Sequence, residues 1–191
     1  GEPILWWSPD PRAVFYPSEF HCPNRLARNI RNGEYRFSID ESFTTVIDGC
    51  AEPRSPDGET WITDAMRQAY LALHNAGHAH SCELWRGNEL LGGLYGVARG
   101  GAFFGESMFS LESNASKIIL VLLNQQLARW GFTLFDCQVE SHHLASLGAT
   151  ALPRRRFLQQ LKSALERPAP KEWTADADIG NPENFSAPQP Y

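Results

Sequence analysis

The sequence predicts an α+β domain built on a mixed sheet, and three stretches carry that reading. Residues 80–104 alternate with period two between glycine-bearing turns, residues 115–130 form a helix-length apolar segment, and residues 132–138 return to strand composition after Gly131. Two strands separated by a buried helix imply a parallel crossover, so antiparallel and parallel pairs share one sheet.

The chain has 191 residues, enough for one sizeable core. Its hydrophobic content of 42% and charged content of 20% are those of a globular protein, and no apolar run reaches the roughly 20 residues of a membrane span. The first residues lack the basic start and apolar run of a signal peptide, which points to the cytoplasm. A net charge of −5 argues against sequence-independent binding to bulk nucleic acid, leaving local patches as the places for phosphate. Four cysteines without close pairing predict reduced thiols and no zinc site. His78 and His80 make only half of a tetrahedral metal site, so no metal is expected.

Taken in order, Trp6-Trp7 precedes Pro9 and Pro11, which prevent a helix; one of the two tryptophans is expected in the core. Leu26 and Ile30 suit a short amphipathic helix ending at Gly33, and Tyr35, Phe37 and Ile39 alternate as on a strand. Phe43, Val46, Ile47 and Cys50 fit one helical face, with Ser42 or Asp40 as cap, and residues 53–58 form a surface loop. Thr63 caps a helix whose Met66, Ala69, Tyr70 and Leu73 face inward and which ends near Gly77. The meander then turns at Arg86-Gly87-Asn88 and Gly100-Gly101, while Gly92, Gly93 and Gly96 mark a bulge or a close approach.

Ser113 or Asn114 caps the buried helix that follows. Residues 143–148 form a short helical turn, and Pro153 opens a last helix with Phe157, Leu158, Leu161 and Leu165 inward. Beyond Arg167 the chain reads as an extended strap. This order matches the acetyltransferase-like (GNAT-like) fold, a mixed sheet flanked by helices in which strands splay to leave a cleft.

Two strands end in polar groups after apolar runs: Gly105-Glu106 follows Phe103-Phe104, and Asp136-Cys137-Gln138 follows Phe135. Asp136 and Gln138, two apart, project to one strand face while Cys137 points away. On the residues alone, the favoured reading of Asp136 is the cap of the turn after the strand, and of Gln138 a solvated side chain.

The chain resembles the leucyl/phenylalanyl-tRNA–protein transferases. The resemblance rests on Pro3-Ile4-Leu5-Trp6-Trp7-Ser8-Pro9-Asp10-Pro11-Arg12, Thr60-Trp61-Ile62-Thr63, Gly77-His78-Ala79-His80-Ser81 and Gly93-Leu94-Tyr95-Gly96-Val97. It continues in Phe104-Gly105-Glu106-Ser107-Met108-Phe109-Ser110, Asn114-Ala115-Ser116-Lys117, Asp136-Cys137-Gln138 and Ser146-Leu147-Gly148-Ala149. It implies an enzyme of the bacterial cytoplasm, acting as a monomer without CoA or metal. Leu or Phe passes from Leu-tRNA or Phe-tRNA to the α-amino group of proteins that begin with Arg or Lys, tagging them for degradation. By the same resemblance residues 1–33 are a remnant of the family's N-terminal portion with its connecting segment. Residues 34–167 are the catalytic domain and 168–191 an extended tail.

The resemblance implies catalytic roles for Asp136, which polarises the Gln138 amide, and for Gln138, whose oxygen accepts from the attacking amine. Glu106 is assigned to the aminoacyl end or the acceptor amine. An apolar slot for Leu or Phe draws on Leu94, Tyr95, Phe103, Gly105, Met108, Ser110 and Phe135, with Leu123 and Leu127 as its floor or, equally, as ordinary core. Trp61 is placed to stack on the terminal adenine. Arg154, Arg155 and Arg156 are placed to hold acceptor-stem phosphates, a solvated helix face being the alternative. Glu106, Asp136 and Glu140 are the carboxylates available to the acceptor's cationic side chain. Two other functions remain open. A CoA-dependent N-acetyltransferase wants a glycine-rich loop at the helix entrance, where this chain has Phe109-Ser110-Leu111-Glu112-Ser113-Asn114. A non-enzymatic adaptor for peptides starting with Arg or Lys would need acidic groups but no slot for Leu or Phe.

Overall fold

The computed structural model describes residues 7–53 and 60–185. In chain order the elements are β1 (Arg12–Phe15), α1 (Asn24–Asn32), β2 (Tyr35–Ile39), α2 (Phe43–Ala51), α3 (Asp64–Asn75), β3 (Ala79–Arg86), β4 (Glu89–Arg99) and β5 (Ala102–Ser110). There follow α4 (Ala115–Arg129), β6 (Leu134–Gln138), α5 (His142–Ala145), β7 (Thr150–Leu152) and α6 (Arg154–Leu165). The strands make one seven-stranded mixed sheet in the order β2-β3-β4-β5-β6-β1-β7, with helices on both faces.

Every neighbouring pair is antiparallel except β5 and β6, which α4 joins as a parallel crossover. That parallel pairing is short: Ala102, Phe103 and Phe104 face Leu134, Phe135 and Asp136, and there it stops. Beyond it β5 stays with β4 as far as Ser110, while β6 stays with β1 as far as Gln138. The two strands therefore diverge, and a cleft opens between them. A bulge bends β5 at the divergence: Tyr95 pairs with Ser107 and the next residue, Gly96, with Gly105, so Glu106 is the extra residue. Gly96 is needed there because a Cβ would run into the Phe104 carbonyl.

Alternation sorts the side chains onto two faces. Leu84, Leu94, Phe103 and Phe135 pack with Ile118, Leu122 and Leu123 of α4 and Leu26 and Ile30 of α1. On the other face Tyr95 packs with Phe43, Val46 and Ile47 of α2, and Ala102 and Leu134 pack with Phe157 and Ala164 of α6. Leu94 and Tyr95 thus lie on opposite faces, as period two requires.

Several expectations about facing change. Trp7 is 82% exposed, and Trp6 and residues 54–59 lie outside the described residues. On α3, Ala69 is exposed, and Tyr70, Leu71 and Leu73 pack inward. On α6, Leu158 and Leu165 are exposed while Ala164 is buried, because the helix meets the sheet along a narrow Phe157–Leu161–Ala164 stripe. Thr63 caps α3 by accepting from Met66 N at 3.3 Å. The start of α4 has no such side-chain bond, since Asn114 adopts φ +69°. The described part of the strap, up to residue 185, packs on β3 and α4: Trp173 stacks on His80 at 3.6 Å, Arg129 pairs with Asp176 and Asp178, and Phe185 is buried.

Candidate active site

The divergence of β5 and β6 produces a cavity of about 220 Å³. Gly105, Glu106, Ser107 and Met108 line it from β5, Phe135 and Cys137 from β6, and Leu94 from β4. Leu120 of α4, Leu144 of α5 and Trp61, which is half-exposed, complete the wall. Gly105 brings the β5 backbone close to the Phe135 ring; a Cβ there would stand 2.9 Å from Phe135 Cε2. Ser141 seats α5 by accepting from Leu144 N at 3.2 Å, which holds Leu144 over the cavity.

Glu106 is the carboxyl group in this cavity. Tyr70 Oη donates to its Oε2 at 2.8 Å. Burial pushes the Glu106 pKa up, with the Asp136 charge adding to the rise, against lowering by the Tyr70 and Gln138 hydrogen bonds and the Arg12 charge. Tyr70 is pushed up in turn, by burial first and then by Glu106.

Asp136 is fully buried and faces Arg12. Arg12 Nε donates to Oδ1 at 2.9 Å and Nη2 to Oδ2 at 2.7 Å, a two-pronged pairing across 124 residues of chain. The Arg12 guanidinium also lies 5.0 Å from the Phe157 ring centroid. Asp136 Oδ1 accepts from the backbone N–H of Gln138 at 2.8 Å, rather than from its side-chain amide. Gln138 takes φ +65°, which ends the strand and turns its side chain across the divergence, where Nε2 donates to Gly105 O at 3.0 Å. That bond ties the tip of β6 to the middle of β5.

The strand-face expectation changes accordingly. Cys137 lines the cavity instead of pointing away, and burial pushes its thiol up, with the Asp136 charge adding to the rise. Asp136 lies behind the cavity wall on the Arg12 side. Of the proposed slot residues, Leu94, Gly105, Met108 and Phe135 meet in the cavity. Tyr95 is on the opposite sheet face against Tyr70. Phe103 packs edge-on to Phe135 within the core. Ser110 is exposed at the strand end, donating to Glu112 O. Leu123 and Leu127 are core, and Leu120 takes the place assigned to them.

Arg154, Arg155 and Lys162 border a surface groove with Asp10, while Arg156 is exposed away from it. The Arg154 guanidinium donates to Ser8 O at 2.8 Å, which fixes one of these cations. Sequence reasoning gave Arg12, Tyr70, Leu120 and Leu144 no role at the site. Nothing in the local sequence marks the Arg12–Asp136 pair, since its partners meet only when β1 docks beside β6.

An α+β chain whose two strands part around a largely apolar cavity, with one carboxyl on its wall and the Gln138 amide tied to the Gly105 carbonyl at its edge, has the shape of a group-transfer enzyme. The family model described as leucyl/phenylalanyl-tRNA protein transferase matches residues 14–162. Similar proteins of that description come from Pseudomonas syringae pv. syringae, 51% identical over 92% of this chain and 76% of the relative, and from Alkalilimnicola ehrlichii, 55% identical over 94% and 70%. The chain belongs to the leucyl/phenylalanyl-tRNA–protein transferase family. Among solved structures, L-PGS from Bacillus licheniformis superimposes with a TM-score of 0.48 at 13% identity, over 70% of this chain and 46% of that one.

Proposed function

We propose that this protein transfers Leu or Phe from its tRNA to the α-amino group of proteins that begin with Arg or Lys, in the cytoplasm, on an acetyltransferase-like fold. The fold assignment draws on the antiparallel meander followed by the short parallel pairing of β5 and β6 and their divergence. The activity draws on one observation above all: that divergence holds a cavity of about 220 Å³, sized for one apolar side chain, directly beside the Gln138 amide.

An aminoacyl ester is already activated, so the reaction needs an amine placed against the carbonyl. The aminoacyl side chain enters the cavity against Met108, Leu120, Phe135 and Leu144. Trp61 at the rim stacks on the terminal adenine, and Arg155 and Lys162 meet acceptor-stem phosphates. An α-amino group has a pKa of about 7.7–8.0, so a useful fraction is neutral near physiological pH. Its lone pair forms the new N–C bond, the C–O bond to the ribose breaks, and the amine proton ends on the departing ribose oxygen.

Gln138 serves as catalytic residue. Its nitrogen is spent on Gly105 O, which leaves its side-chain oxygen to accept an N–H of the incoming amine and aim the lone pair. Asp136 is a positioning residue: it fixes the backbone of Gln138 and anchors Arg12. Glu106 borders the aminoacyl end and favours a positive amine nearby, because a cation lowers the cost of ionising a buried carboxyl.

Incubating the protein with labelled Phe-tRNA and a peptide starting with Arg is expected to give labelled Phe-Arg-peptide. Absence of the product under conditions where the tRNA stays charged overturns the reading.

A further inference from the structure

Next to the aminoacyl cavity lies a second cleft of about 270 Å³. Phe15 and Phe20 form its apolar side, Ser146 and Leu147 its far wall, and Glu19 and His21 its polar side. Only a thin partition separates it from the cavity. Phe15, which lines the cleft, and Phe135, which lines the cavity, have ring centroids 5.8 Å apart. Leu144 lines the cavity, and Ser146 and Leu147, just beyond α5, line the cleft.

The cleft has a carboxylate to spare. Glu19 is exposed at the end of a 3-10 turn, Pro17–Glu19, and no ion pair among the described residues engages it. Tyr16, by contrast, donates its hydroxyl to Gln160 at 3.0 Å. Of the carboxylates that the sequence offers for the acceptor's cation, Asp136 is taken by Arg12 and Glu106 is buried against Tyr70. Glu140 is exposed and borders neither space.

We propose that this cleft is the subsite for the first side chain of the acceptor protein, with Glu19 as the group that selects Arg or Lys. The proposal rests on the aminoacyl-transfer reading and adds to it where the acceptor binds. An acceptor whose amine lies at Gln138 directs its first side chain over the Phe15–Phe135 partition. The aliphatic stem then covers the Phe15 and Phe20 edges, and the charged head meets Glu19 at the open end. Neutral polar side chains gain from Glu19 a hydrogen bond without the charge, and short ones do not reach it.

The test uses the full chain at saturating Phe-tRNA with two acceptor peptides that differ only in their first residue, Arg or its neutral isostere citrulline. The wild type is expected to prefer Arg. Glu19→Gln is expected to raise KM for the Arg peptide roughly fivefold, the scale of one partly screened ion pair. The citrulline KM should stay where it was, so the Arg-to-citrulline ratio of kcat/KM collapses. Glu19→Lys should push that ratio below its Glu19→Gln value. An unchanged ratio in both variants overturns the assignment. If the wild type labels neither peptide, the transfer reading itself fails, and the two failures are told apart.

Discussion

Asp136 and Glu106 sit on the two strands that diverge, and their surroundings treat them in opposite ways. Asp136 meets a guanidinium through two prongs and a backbone N–H, so its charge is matched where it stands. Glu106 meets a phenol, and its pKa is pushed up by burial and by the Asp136 charge beyond it. The first is a fixed anion of the frame, while the second is a carboxyl whose ionisation a bound amine can favour. Two acids within one site therefore divide between holding the geometry and receiving the substrate.

The sharpest way to break this comparison is Asp136→Ala. Removing the carboxylate strands the Arg12 guanidinium, whose side chain is 14% exposed, and frees the backbone of Gln138. A loss of about 3–5 kcal/mol in urea unfolding is expected, together with loss of transfer. Arg12→Ala should cost a similar amount, and the double variant less than the sum. Full additivity would mean that the pair is not a unit.

Next in size is Gln138→Ala, which tests whether the frame serves this amide. Removing it is expected to lower kcat on the order of 10²-fold while KM for Phe-tRNA holds, since the amide aims the amine rather than binding the aminoacyl group. Gln138→Asn tolerates the left-handed backbone better than Ala and keeps a shorter amide, so it should recover part of the rate. Equal rates for the two variants would place the effect in the backbone at φ +65° instead.

How far these roles could be seen in the sequence depends on the length scale of each interaction. The meander was legible because Arg86-Gly87-Asn88 and Gly100-Gly101 bracket alternating residues, a purely local signal. β1 and β7 were not, because four and three residues make strands only once β1 docks between β6 and β7. Helix α4 was legible as buried but not as to which side meets the cavity. With apolar residues all round, nothing distinguishes Leu120 from Leu123 or Leu127. Asp136 and Gln138 were found by motif, yet the cavity lies on the Phe135 and Cys137 face of β6, and Gln138 leaves the alternation through its positive φ.

Glu106→Gln sharpens the comparison through pH. Burial raises the Glu106 pKa above the ordinary value of 4.5, so the folded chain keeps a proton that the unfolded chain has released. Stability from that protonated form is complete below 4.5 and is lost as pH rises through the folded value. The Gln variant avoids this loss. Its urea midpoint relative to wild type should therefore rise as the pH climbs above 4.5. Glu83, also raised by burial and held by Ser38 and Ser81, keeps its own share of the slope in both proteins. An identical pH dependence in variant and wild type would show that Glu106 is not the strained acid of the pair.

The smallest effect expected is on selectivity, at Gly105→Ala. The added Cβ stands 2.9 Å from Phe135 Cε2, and what must yield is a ring rather than backbone. The ring moves toward the cavity or away from it, and the fold tolerates either, at a cost of about 1 kcal/mol. If it moves inward, the cavity loses about one methyl group of depth, and the longer, flatter Phe suffers more than Leu. The Leu-to-Phe ratio of kcat/KM should then rise several-fold, since about 1–3 kcal/mol is the usual worth of one methylene in such a slot. Transfer should otherwise persist, because Gln138 bonds to the Gly105 carbonyl and not to its Cα. An unchanged ratio would mean that the aminoacyl side chain does not reach Phe135. The selective wall would then lie on the α4 and α5 side, at Leu120 and Leu144, rather than where the two strands part.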